Sequence, residues 1–143
     1  MAIKRMDNVL IVVEDLDAVI EFFVELGMEL EGKGPLDWPG AERIVGLTDV
    51  RQEVAMLRTP DGHGRVELAM FHQPRPIKPG DAPANTLGLR RIMFAVDDLA
   101  EVLDRVRAKG VELVGTVEDY ENIFRLCYVR GPEGIIVGLS QEL

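Results

Sequence analysis

The stretch LRRIMFAVDDL, Leu89 to Leu99, reads as a second copy of MDNVLIVVEDL, Met6 to Leu16. Each copy opens with alternating apolar residues, Val9, Ile11 and Val13 in the first and Ile92, Phe94 and Val96 in the second. That period of two predicts a strand. Asp15 and Asp98 follow, and each carboxylate can accept the free N–H groups at a helix start. Leu16, Val19, Ile20 and Phe23 then fall on one helical face, as do Leu99, Val102, Leu103 and Val106. Gly27 and Gly110 end the two helices, because a residue without Cβ takes the left-handed conformation freely.

The two copies hold one spacing. Asn8 to Arg91, Leu16 to Leu99, Gly27 to Gly110 and Gly32 to Gly115 are equally far apart. Val13/Val96, Val19/Val102, Glu29/Glu112 and Leu30/Leu113 are identical at that spacing. Shared caps, glycines and helix length indicate a duplicated module. Later, PDGHGRVEL (60–68) matches PEGIIVGL (132–139) with one residue dropped. A half of roughly 60 residues is marginal for an independent core, so the halves are expected to pack together or against halves of a second chain.

Outward from the repeat, Asn8, Leu10 and Val12 alternate with the first apolar set, which predicts a first strand buried on both faces. MELEGKG reads as an irregular strand and PLDWPGAERIVGL as a loop. EVAMLRT, PDGHG and RVELAMF read as strand, turn and strand, with Asp61-Gly62 in the turn. Residues 74–83, PRPIKPGDAP, hold four prolines and read as a stiff linker. VELVGTV, FRLCYVR, the turn GPEG and IIVGLSQ complete a second strand set. The expected organisation is one domain over 1–143, with module 1 at about 5–73, a linker at 74–87 and module 2 at about 88–143.

Of the 143 residues, 47% are hydrophobic and 29% charged, a globular balance. No apolar run approaches the roughly 20 residues of a membrane helix. The N-terminus MAIKRMDNV lacks the features of a signal peptide. The single cysteine, Cys127, allows no intramolecular disulfide, which fits a reducing, cytoplasmic setting. A net charge of −9 argues against nucleic acid and anionic membranes as partners. It does not argue against a small anion, since a few arginines can make a local positive field.

Two modules that open on strand–(D/E)-D-L–helix–G and close on P-(D/E)-G-x-x-V-x-L resemble the vicinal oxygen chelate superfamily. That superfamily includes glyoxalase I, extradiol dioxygenases and the bleomycin- and fosfomycin-resistance proteins. The resemblance covers nearly the whole chain. It implies an α+β fold of two tandem βαβββ modules forming a cupped, mostly antiparallel sheet, with two half-cups facing one another around a ligand. It also implies a homodimer. The fold hosts many chemistries, so the activity must be argued from the site.

In metal-dependent members each module gives two ligands to one divalent ion. Carried onto this sequence, the positions are Asn8, Glu67, Arg91 and Gly138. Glu67 could ligate through oxygen, and Asn8 could offer a carbonyl to a hard cation. Arg91 carries donors only and Gly138 carries no side chain. A zinc or iron site needs three or four nitrogen, sulfur or carboxylate ligands. No metal or other cofactor is therefore expected. His63, in the hairpin turn, reads as solvated, and His72 alternates with Glu67 onto the opposite face.

The strand period places Asn8, Leu10 and Val12 on the lining, with Glu67, Ala69 and Phe71, and with Arg91, Met93 and Ala95. Arg91 is expected to be buried, paired either with Glu67 or with a ligand oxyanion that its fork fits. Gly138 is expected to leave room for that ligand. Tyr120, Arg125 and Tyr128 are candidates for the rim, and Trp38 for a lid or a dimer contact. Cys127 reads as a small core residue rather than a nucleophile. The glycines of PDGHGRVEL lack the spacing of a phosphate loop. Three readings follow for the function. One is a metal-free protein that binds or sequesters a small organic anion. The second is a metal-free enzyme, with Glu67 as a catalytic base for proton transfer or isomerisation and Arg91 stabilising the developing enolate. The third is a divalent-metal-dependent lyase, isomerase or dioxygenase of the glyoxalase I type.

Overall fold

The computed structural model describes residues 2–36, 38–80 and 82–143; Met1, Asp37 in the PLDWPG loop and Asp81 in the proline-rich stretch lie outside them. The chain divides into two compact units, Met1–Lys78 and Pro79–Leu143. The fold is α+β: each unit pairs a mostly antiparallel sheet with a helix, as the duplicated pattern predicts.

In the first unit, β1 (Val9–Val12) leads into α1 (Leu16–Leu26), then β2 (Glu29–Pro35), a short α2 (Ala41–Val45), β3 (Arg51–Arg58) and β4 (Arg65–Gln73). The sheet order is β1-β4-β3-β2. β1 runs parallel to β4, with Leu10 beside Glu67 and Val12 beside Ala69. The remaining pairs are antiparallel. The Asp15 carboxylate accepts a 3.0 Å hydrogen bond from the Ala18 N–H, and Gly27 closes the helix at φ 119°. α1 packs on β2, β3 and β4. Its face residues Val19 and Phe23 are fully buried, as are Leu57 and Leu68 on the sheet.

β1 departs from the sequence reading. Leu10 and Val12 are 49% and 50% exposed, so only the α1 side of the strand is covered. A sheet with one helical layer buries one face. A run of apolar residues on both faces does not by itself show that both are packed. The stretch read as a loop also contains α2.

In the second unit, β5 (Arg91–Ala95) leads into α3 (Leu99–Ala108), then β6 (Glu112–Leu113), β7 (Glu118–Tyr120), β8 (Phe124–Arg130), one 3₁₀ turn (Pro132–Gly134) and β9 (Ile136–Glu142). The order is β5-β9-β8-β6, with β7 also on β8. β5 is parallel to β9. The Asp98 carboxylate accepts from the Glu101 N–H at 3.1 Å. Val106 of α3 and Val129, Val137 and Leu139 of the sheet are fully buried. VELVGTV, read as one strand, yields only the two residues of β6 before the separate β7. Among the described residues, no helix is long and apolar enough to cross a membrane.

Candidate functional site

Register places the candidate side chains. In the first unit, Leu10, Glu67, Met56 and Gly32 stand in one row across the four strands, and Val12, Ala69, Val54 and Gly34 in the next. All lie on the face away from α1, because directly paired residues share a face. Gly32 and Gly34 alternate on that face, and a Cβ built on either would meet nothing within 4 Å. The sheet is therefore hollow there. A groove of about 340 Å³ results, lined by both glycines, Val54, Met56 and Glu67. That volume is within the range of small-molecule clefts.

Glu67 is half-buried in β4. Within its own unit, its carboxylate has no hydrogen-bond or ion-pair partner among the described residues. Asn8, just before β1, donates from Nδ2 to Asp7 Oδ2 at 3.0 Å. Phe71 pairs with Gln52, which is only 6% exposed and on the same face. Trp38 does not line the groove. Its indole packs directly on Gly40, where a Cβ would have no space. His72 faces Glu53, with Nε2 3.8 Å from its Oε2, on the face opposite Glu67. The His63 N–H donates to Asp61 Oδ1, which fixes the hairpin turn. That bond and a stronger one from Thr59 hold the Asp61 carboxyl below the usual carboxylate range.

In the second unit, Met93, Gly138 and Tyr128 form one row across β5, β9 and β8. Arg91 is the next residue on the same side of β5. Its guanidinium carbon lies 4.4 Å from the centre of the Tyr128 ring. Arg91 is exposed rather than buried. Its donors have no hydrogen-bond or ion-pair partner within the unit among the described residues. The burial expected of it is absent because a single sheet face carries it, with the ring as its support. Gly138 also differs from expectation. A Cβ there would lie 2.8 Å from Met93 Cε and 3.2 Å from Tyr128 Cδ1, so those side chains already fill the space read as room for a ligand.

Arg125 does not join Tyr128 at the rim. It forks onto Asp119 at 2.8 and 3.2 Å. Its register puts it with Cys127 and Val129, on the α3 side and away from Tyr128. That bidentate bond holds the Asp119 carboxyl low and the Arg125 guanidinium high. Tyr120 pairs with Phe124 on the Tyr128 side and is exposed. Cys127 is buried, and desolvation pushes its thiol up, as befits a core residue. Sequence reasoning missed Gly32, Gly34, Met56 and Gln52. The available signal was a glycine at every second position of a strand, which marks close approach or open space.

The profile of the Glyoxalase/Bleomycin resistance protein/Dioxygenase superfamily matches residues 5–139. The chain belongs to this superfamily. A crystallised glyoxalase family protein from Bacillus cereus is 50% identical, with a TM-score of 0.96 over 100% of this chain and 99% of that one. The trypanothione-dependent glyoxalase I of Leishmania major is 23% identical, with a TM-score of 0.67 over 97% of this chain and 87% of its own. The genomically encoded fosfomycin resistance protein of Listeria monocytogenes is 15% identical, with a TM-score of 0.65 over 99% and 95%. At those identities the last two show the superfamily fold alone. No curated protein matches the chain.

The donor set can be tested against the metal of this superfamily. The carried positions hold one carboxylate, one amide, one guanidinium and one glycine. A guanidinium has no lone pair to give and repels a cation. At Gly138 the ligating position is occupied by the Met93 and Tyr128 side chains. Among the described residues no three His, Cys, Asp or Glu side chains converge as a ligand set. These residues do not fit the two-plus-two metal site.

Proposed function

We propose that this member of the superfamily binds a small organic carboxylate without a metal, Arg91 receiving the anionic group. The observation that supports the reading is the exposed Arg91 guanidinium over the Tyr128 ring, its donors without a partner in its unit among the described residues, on a protein of net charge −9. A ring lying against the guanidinium carbon uses none of its N–H groups. Those groups form a fork spaced for a carboxylate.

Glu67, in the first unit, carries a second reading that stands apart from Arg91, in which it is the proton-transfer group. Its carboxylate lines the glycine-floored groove with no partner in its unit, as a base that must accept a proton from a ligand requires. The chemistry is removal of a C–H proton beside a carbonyl. The electron pair moves toward the carbonyl oxygen, and Glu67 returns the proton at the same or a neighbouring carbon.

Pyruvate is a suitable probe, having a carboxylate and C–H bonds beside a carbonyl. Titration calorimetry is expected to show binding that Arg91→Ala weakens ten- to hundredfold, the order for losing a charge-assisted pair of hydrogen bonds. Arg91→Lys recovers little, because an ammonium lacks the fork. Exchange of the pyruvate methyl hydrogens in D₂O, followed by NMR, reads the second part. Glu67→Gln should abolish exchange while keeping most of the affinity. Equal binding by wild type and Arg91→Ala overturns the anion reading. A stoichiometric transition metal in protein purified without chelators overturns the metal-free reading.

A further inference from the structure

We infer that Tyr128 is a positioning residue that holds the Arg91 guanidinium in place, and that Gly138 is glycine so that it can. The functional consequence rests on the reading of Arg91 given above; the positioning itself does not.

Strand spacing sets how far apart the two residues stand. Arg91 is on β5 and Tyr128 on β8, with β9 between them. Neighbouring strands lie about 4.8 Å apart, so these backbones are separated by about 10 Å. Side chains standing off a sheet do not meet over that distance when a full side chain stands on the middle strand. Here the middle position level with Tyr128 is Gly138. Its φ is unremarkable, so backbone freedom is not what requires glycine. Space is the requirement, as the 2.8 and 3.2 Å approaches of Met93 and Tyr128 to an added Cβ show.

The missing side chain lets the ring lean across β9 and reach the guanidinium from β5. Met93 fills the other side of the gap and limits the ring's travel. Arginine has four side-chain torsions and, exposed, samples many rotamers. A ring centred 4.4 Å from the guanidinium carbon selects those in which the cation stays over the ring. The donor edge is then presented in one orientation before any anion arrives, which lowers the ordering penalty of binding.

Two readouts test this. In protein with labelled arginine, the Arg91 side-chain resonances, assigned by their loss in Arg91→Lys, should show the upfield shift of nuclei over an aromatic ring. Tyr128→Phe keeps the ring and should keep the shift. Tyr128→Leu should lose it with little change in melting. Gly138→Val should lose it too, by pushing the ring aside. If Gly138→Val fails to fold, the Tyr128 pair still decides the matter. Pyruvate affinity should follow the shift: within twofold of wild type in Tyr128→Phe, and down about three- to tenfold in Tyr128→Leu, the scale of an exposed to partly desolvated cation–π contact. An unshifted Arg91 in the wild type overturns the inference, as does a shift that survives Tyr128→Leu. A shifted Arg91 in a wild type that binds no pyruvate refutes the anion reading and leaves the positioning supported.

Discussion

Replacing Gly32 and Gly34 together with alanine should move stability and binding in opposite directions. Both glycines lie in β2, and neither needs a positive φ. An added Cβ at either meets nothing within 4 Å, so the folded state accepts it without strain. Glycine-to-alanine changes of this kind stabilise by about 0.4–1 kcal/mol each, chiefly by restricting the unfolded chain. The two sites share no contacting atoms, so the effects should add to about 1–2 kcal/mol. For a chain of this size that is a rise in Tm of roughly 3–8 °C, and a higher urea midpoint at unchanged slope. The same two methyl groups enter the groove beside Glu67. Forcing a ligand against added methyl groups costs about 1–3 kcal/mol, which is roughly five- to 150-fold in affinity. Urea melts and pyruvate titrations on one preparation measure both. Raised stability with undiminished pyruvate affinity would refute the placement of ligand in the groove. Lowered stability would refute the register that points the two positions at open space.

Three further outcomes are expected. Asp119 titrates below 3.8 because Arg125 hydrogen-bonds to it, so its contribution to stability is present above that value and is lost as pH falls through the depressed folded value; carbon-detected NMR titration of Asp119 in wild type and Arg125→Gln should show the latter near the ordinary value. Cys127, with its thiol pushed up by burial, should react with a thiol reagent at neutral pH only as fast as the unit opens, and faster on adding denaturant; a fast reaction in the native protein would show the core assignment to be wrong. Asp15→Ala and Asp98→Ala should each destabilise by about 1 kcal/mol in urea melts, the usual loss on removing an N-cap, and a neutral result would contradict the observed cap bonds.

The fold was legible because its information is local and written twice. Asp15 and Asp98 cap their helices through bonds to residues three positions on, and such contacts follow from spacing alone. The strand period separated Glu67 from His72, and the register kept those sides. Loop content was harder: α2 has five residues and too little periodicity to stand out from the glycine and proline around it.

The duplicated module, the identity of the capping residues and the chemistry at Asn8, Glu67, Arg91 and Gly138 are readable from the chain alone, because they depend on residue type and on short-range spacing. Tertiary structure decided what those residues touch. Only strand order reveals that Gly138 lies between Met93 and Tyr128 and that its empty place is already filled. Only register sets Gly32 and Gly34 on the Glu67 face, where they open a groove, and puts Arg125 beside Asp119. Pairing between distant strands is fixed by the collective packing of a whole sheet, and no single stretch of chain encodes it.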